Sequence, residues 1–176
     1  NCGLVYDAEK NTRVFLDSNY NAAVKFILAR IESVPEGRGI VISSRFNHIL
    51  KAVEQILDIY FDSKIGVALI NGATGLEYRK NAIMGFQSGE LKVLLANTAC
   101  LAHGVTLTNA NEMILLDTPQ YTEPYIQVKG RVHRRGQKWR IPIYRLIGNF
   151  IVARRYKILD GAQEKDDDFL KLMKGK

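Results

Sequence analysis

The sequence predicts an α/β fold in three layers, with a mostly parallel central sheet and helices on both faces. Three observations carry this expectation. Short apolar runs alternate with segments of helical periodicity along most of the chain. Polar loops follow those runs at 44–47, 71–72, 97–104 and 117–119, and in a parallel sheet such loops gather at the carboxyl edge where ligands bind. At 176 residues the chain has room for one domain with a real core and not for two.

The elements follow in order. Residues 22–31 carry Ala23, Phe26, Ile27 and Ile31 at helical spacing. Pro35, Gly37 and Gly39 mark a loop, and 39–43 is a short apolar run that reads as a buried strand. Asn47 is the expected cap of a second helix, with Ile49, Val53, Ile56 and Tyr60 as its inward face. A second strand is expected at 65–70. A helix over 75–87 would point Ala82, Ile83 and Phe86 inward. Further strands are expected at 92–96, 113–116 and 141–147. Between the last two, 122–134 reads as a helix, with Pro124 in its first turn and Gly136 at its exit. The segment 149–176 reads as helical, with an acidic cluster at 166–168.

The net charge is +7, and its placement says more than its total. Lys129, Arg131, Arg134, Arg135, Lys138, Arg140 and Arg145 fall within 127–145, a stretch with no Asp or Glu. Such a focus suits nucleic acid or nucleotide phosphate. Cys2 and Cys100 form no C-x-x-C pair, which removes the usual zinc and redox motifs and suggests a reduced, intracellular setting, cytoplasmic or nuclear. No apolar run approaches the roughly 20 residues of a membrane span, and no signal-peptide pattern is present. Asn1 in place of Met suggests a fragment or a processed chain.

The most specific stretch is Gln127-Val-Lys-Gly-Arg131-Val-His-Arg134-Arg135-Gly-Gln137. On a helix, Gln127, Arg131 and Arg134 share one face. Two guanidinium forks and an amide then project together, and arginine grips phosphate bidentately at any relevant pH. His103 and His133 lack a second ligand at useful spacing, so no metal site is expected. Trp139 could stack a base, but packing under the last strand is the expected use. Asp117 would either orient an arginine or cap a turn, and the sequence leaves both open.

The stretch Q-x-x-G-R-x-x-R-x-G-Q resembles the sixth motif of superfamily 2 helicases, in the variant of Swi/Snf-type translocases. Other segments resemble family motifs in the same order. They are Ile42-Ser-Ser-Arg-Phe46-Asn47, then Ile70-Asn-Gly72 with Glu77, Arg79 and Phe86, then Leu94-Leu-Ala-Asn-Thr98-Ala running to Gly104-Val-Thr-Leu107-Thr, then Ile114-Leu-Leu-Asp117-Thr-Pro119, and last Ile143-Tyr-Arg-Leu-Ile147. The resemblance implies a RecA-like C-terminal helicase lobe over residues 18–160, preceded by an extension or linker over 1–17 and followed by a tail over 161–176. It departs from the family pattern at Arg45, where Gln is common, at Cys100-Leu-Ala-His103, where small glycines are usual, and at Gln120-Tyr121, where Swi/Snf-type proteins carry W-N-P.

Carried over by position, the resemblance makes Arg131 and Arg134 the arginines that reach ATP, with Gln127 and Gly104 at the nucleotide side of the lobe. It places Ser44, Arg45, Asn47, Gly72, Thr98 and Ala99 along a nucleic-acid track, with DNA the expected polymer. A phosphate-cradling G-x-x-x-x-G-K-S/T loop and an acidic magnesium box are absent from these residues. ATP and Mg2+ would therefore be held mainly by an N-terminal RecA-like lobe, and this segment alone is expected to be inactive. The alternative is a degenerate, non-enzymatic lobe that binds nucleic acid or a protein partner through its basic helix.

Overall fold

The computed structural model describes residues 4–6, 12–14, 22–102, 105–118, 122–133, 136–137, 139–147, 151 and 153–162. Two short strands, β1 (Leu4–Tyr6) and β2 (Thr12–Val14), pair antiparallel. The main body runs α1 (Ala22–Ser33), β3 (Gly39–Ser44), α2 (Asn47–Phe61), β4 (Val67–Ile70), α3 (Leu76–Ser88), β5 (Val93–Asn97), α4 (Thr98–Ala102), β6 (Ala110–Leu115), α5 (Thr122–Val132) and β7 (Ile143–Arg145). A further helix covers 153–162.

The five strands β3–β7 form one sheet in the order β4-β5-β3-β6-β7, every pairing parallel. Strand residues alternate between two cores, as a period of two requires. The cross-strand row Leu69, Leu95, Ile42, Ile114 and Tyr144 packs toward α1 and α2, on Ile27, Ile31, Leu50 and Leu57. On the other face Ala68, Leu94, Val41 and Met113 pack with Phe86 of α3, Leu101 of α4, Tyr125 and Val128 of α5, and Tyr156 of the helix 153–162. The expected three layers are present, and the sheet is parallel throughout.

Several expectations need correction. The inward face of α2 is Leu50, Ala52, Val53 and Leu57; Ile49 and Ile56 are half-buried, and Tyr60 is exposed and donates its hydroxyl to Glu32 Oε1 at 3.0 Å. The helix carries apolar residues around more than half its girth, so spacing alone left its rotation ambiguous by one position. Asn47 does not cap α2: Phe46 holds the cap position, without a side-chain bond, and the Asn47 carboxamide is used elsewhere. Trp139 is 64% exposed, with the Arg38 guanidinium 6.0 Å from its ring centre. The interior place beneath the last strand goes to Ile141, because β7 starts only at Ile143. The helix α4 was not expected, and β1 and β2 lie within the segment read as a linker. The acidic cluster at 166–168 lies outside the described residues.

One glycine sets a close approach. Gly89 ends α3 at φ +87°, and a Cβ there would stand 2.6 Å from the Gly37 carbonyl. Only glycine permits both the left-handed turn and the contact, which locks α3 to the loop feeding β3.

Candidate nucleotide and nucleic-acid interface

Because all five strands run one way, their carboxyl ends share one edge, and the sheet reverses its winding beside β3. The chain goes from β3 out to β4 at one edge, returns to β5, then crosses to β6 on the far side of β3. The ends of β5, β3 and β6 thus bring together residues 97–99, 43–47 and 117, which are distant in sequence.

Asp117 stands at the centre of this edge. Its Oδ2 accepts from the Ser44 hydroxyl and, at 2.9 Å, from the Arg45 amide; its Oδ1 accepts from Arg45 Nε at 3.1 Å. The Asp117 side chain is 14% exposed and that of Arg45 36%. The two roles left open for Asp117, orienting an arginine and capping a turn, are both filled. Ser44 Oγ in turn accepts from the Phe46 amide at 3.0 Å, and the Arg45 guanidinium lies 5.0 Å from the Phe46 ring centre. The Asp117 carbonyl accepts from the Tyr156 hydroxyl at 3.0 Å.

Asn97 organises the other half. Its Nδ2 donates to the Arg45 carbonyl at 3.0 Å and to Asn47 Oδ1 at 2.7 Å, while its Oδ1 accepts from the Ala99 amide at 3.0 Å and caps α4. Sequence reasoning gave Asn97 no role of its own; an Asn at a strand end, directly followed by a Thr-Ala pair, is the turn and cap signal that could have found it. Thr98 is buried, and its hydroxyl shares a 3.0 Å hydrogen bond with that of Ser43. Gly72 is exposed with nothing within 4 Å of a notional Cβ, so its backbone is open to approach.

Of the expected track residues, Arg45, Asn47, Gly72 and Ala99 are exposed at this edge, while Ser44 and Thr98 are buried with their hydroxyls engaged internally. The chain around Gly72 is shaped by Asn71, whose amide donates to Thr74 Oγ1 at 2.8 Å and whose Oδ1 accepts from the Ala73 amide at 2.9 Å. Arg79 braces the same turn by donating to the Asn71 carbonyl at 3.0 Å.

The arginine-bearing helix α5 packs on the same side of the sheet as α4. Val128 and Val132 are buried, as is Tyr125, so the intervening face with Gln127 and Arg131 turns outward and is half-buried. Arg131 Nε donates to the Leu101 carbonyl at the end of α4 at 3.2 Å, and Gln127 donates to Glu123 Oε1 at 3.0 Å. The described part of α5 ends at Val132, and Gly136, four residues on, has a left-handed backbone at φ +95°. Gln137 Nε2 donates to the Thr108 carbonyl at 2.9 Å and anchors the departing chain. Arg134 and Gly104, expected beside Arg131 and Gln127, lie outside the described residues, as do His103 and Arg135.

At its base α5 is tied to the helix 153–162. Asp160 accepts from Arg145 at 2.6 Å and 3.1 Å and from the Tyr125 hydroxyl at 3.0 Å. Burial pushes the Tyr125 hydroxyl up to about 12, so it stays a donor at neutral pH. Among the described residues no three or more His, Cys, Asp or Glu side chains are grouped to hold a metal ion. No helix among them is long and apolar enough to cross a membrane.

A wholly parallel five-stranded sheet, clad on both faces and carrying an arginine-bearing helix packed beside α4 on one of them, has the build of a RecA-like helicase lobe. Residues 18–136 match the family described as the helicase conserved C-terminal domain, and the chain belongs to that family. Its curated relatives are Snf2-type ATPases. It is 31% identical over 134 residues to the ATP-dependent helicase fft2 of Schizosaccharomyces pombe, covering 76% of this chain and 10% of that protein. It is 30% identical over 163 residues to a SWI/SNF-related, matrix-associated, actin-dependent regulator of chromatin of Drosophila melanogaster, covering 91% of this chain and 18% of that one. The ISWI chromatin-remodelling complex ATPase ISW1 of Saccharomyces cerevisiae is 29% identical over 150 residues, 83% of this chain and 13% of the relative. The chain therefore spans less than a fifth of each of these proteins. Two solved structures share the fold at 20% identity. The C-terminal part of the Fun30 ATPase domain has a TM-score of 0.64, covering 73% of this chain and 41% of that one. Domain 2 of the DEAD-box helicase Mss116p, bound to an RNA duplex, has a TM-score of 0.66, covering 81% and 54%.

Proposed function

We propose that this chain is the C-terminal motor lobe of an ATP-dependent DNA translocase, supplying arginines to a nucleotide and part of a nucleic-acid track. The observation that carries the reading is the seating of α5: Arg131 is held by the Leu101 carbonyl against the end of α4, the short helix that starts at the edge carrying Arg45, Asn47, Gly72 and Ala99. One lobe then offers both a phosphate-facing arginine and a polymer-facing edge. The Snf2-type relatives include chromatin-remodelling ATPases, which supports DNA as the polymer. A nuclear or cytoplasmic setting goes with this reading.

The donors present suit phosphate oxygens. Gln127 and Arg131 present an amide and a guanidinium on the half-buried outer face of α5. ATP with Mg2+, held on a companion N-terminal lobe, would supply the phosphoryl group and neutralise part of its charge. Arg131, with Arg134 three residues further along the sequence, would meet the charge that develops on that group, and Gln127 and Gly104 would line the same side. Ser44 and Thr98 would serve the track as internal supports, their hydroxyls fixing the loops whose exposed residues meet phosphates.

The test joins this chain to a lobe bearing the phosphate loop and acidic box and measures DNA-stimulated ATP turnover. Arg131→Ala and Arg134→Ala should each lower kcat by roughly 10³-fold or more, with little change in DNA affinity. Turnover that survives both substitutions would remove the arginines from the ATPase site.

A further inference from the structure

Asp117 presents an apparent contradiction. A carboxylate lies within the edge assigned above to a polyanion, where simple electrostatics would disfavour it. Its surroundings account for it. Among the described residues, every donor reaching the carboxylate comes from the end of β3: the Ser44 hydroxyl, the Arg45 amide and Arg45 Nε. The Nε bond holds the guanidinium by its inner nitrogen. Among the described residues, no acceptor is bonded to the two outer nitrogens of Arg45, which form the fork that grips phosphate. The Phe46 ring stacks near the guanidinium at 5.0 Å, and Asn97 holds the Arg45 carbonyl at 3.0 Å. Backbone, inner nitrogen and ring are all fixed, and the fork remains available.

We propose that Asp117 is a positioning residue for nucleic-acid binding, which pre-sets Arg45 so that its outer nitrogens take one backbone phosphate in bidentate fashion. This rests on the track reading given above and adds Asp117 to it. The gain comes from order: a long cationic side chain loses rotamer freedom on binding, and a partner that removes this freedom beforehand lowers the cost. Tyr156 holds the Asp117 carbonyl at 3.0 Å, so the carboxylate itself sits on a fixed base.

The sign of the effect tests it. If Asp117 acts only through its charge, Asp117→Asn removes a negative group near DNA and tightens binding. If it positions Arg45, the same substitution weakens binding, because Asn keeps the shape but offers one acceptor oxygen instead of two. The probe is a fluorescein-labelled DNA duplex of arbitrary sequence, titrated with the 176-residue chain by fluorescence anisotropy over a salt series. Arg45→Ala should weaken binding about fivefold at low salt and make the plot of log affinity against log salt shallower by about one. Asp117→Asn should weaken it about threefold or more, and should have no further effect in the Arg45→Ala background. A fold defect would weaken both backgrounds alike, and matched urea midpoints serve as a second check. An unchanged affinity in Arg45→Ala would overturn the track reading itself. Weakening in Arg45→Ala with unchanged or tighter binding in Asp117→Asn would overturn the positioning role alone.

Discussion

The hydroxyl of Tyr156 donates to the main-chain carbonyl of Asp117 at 3.0 Å, across 39 residues of sequence. Tyr156 is buried, and burial raises its pKa, so it remains a donor. This bond carries the helix 153–162 to the polar edge of the sheet. Through Asp160 the same helix also reaches Arg145 and Tyr125 at the base of α5.

Tyr156→Phe removes that donor and leaves the ring in place. The Asp117 carbonyl then loses its partner in a half-buried setting, at a cost of about 1 kcal/mol. The expected result is a lower urea midpoint with an unchanged slope. An unshifted midpoint would mean that water replaces the hydroxyl without loss.

Glu112 offers a larger effect. It is 2% exposed within β6, and Arg30 of α1 reaches it with two nitrogens, Nε to Oε2 at 2.7 Å and Nη2 to Oε1. The Arg30 guanidinium also lies 5.1 Å from the Tyr144 ring centre. Arg30→Ala would strand a buried carboxylate and should destabilise the lobe by about 3 kcal/mol. The double variant Arg30→Met, Glu112→Leu should recover most of that loss, because a matched apolar pair does not carry the desolvation of two charges. Chemical denaturation of the single and double variants checks both statements, and a double variant no more stable than the single would contradict them.

Acid should weaken the tie at Asp160. Burial works to raise its pKa, but the bonds from Arg145 and Tyr125 outweigh burial and hold it below the ordinary carboxylate value. A folded pKa below the unfolded one stabilises the fold above the unfolded value, about 3.9, and that stability is lost as pH falls through the folded value. Asp160→Asn should therefore be less stable at neutral pH and lose less on acidification. Midpoints measured from neutral to acid pH would show parallel curves if Asp160 plays no part.

Sequence patterning made the layers readable because burial imposes a period. Ile40, Val41 and Ile42 are buried from both sides, and Ala82 and Phe86 recur at one helical turn. Where the period was weak, reading failed. Thr98-Ala-Cys-Leu-Ala is too short to show one, and α4 went unseen. The flank of α2 allowed two rotations, and three-dimensional packing chose Leu50 and Leu57 over Ile49 and Ile56. The arginine helix was legible from Gln127 and Arg131 because their spacing is local. The partnership of Asp117 with Arg45 spans 72 residues and depends on two strands lying either side of no other, which no local spacing encodes.

The strand β3 is hydrogen-bonded on both flanks, to β5 and to β6, and its six residues are all buried. A slip of one residue in either pairing would exchange the faces of Val41 and Ile42, setting each against the wrong helical layer. The same slip would carry Ser44 and Arg45 out of reach of Asp117 and Asn97. The aim of the charged rim is thus set by the driest strand of the five-stranded sheet, and, on the function proposed above, substitutions deep in β3 should disturb polymer contacts as surely as changes made at the rim itself.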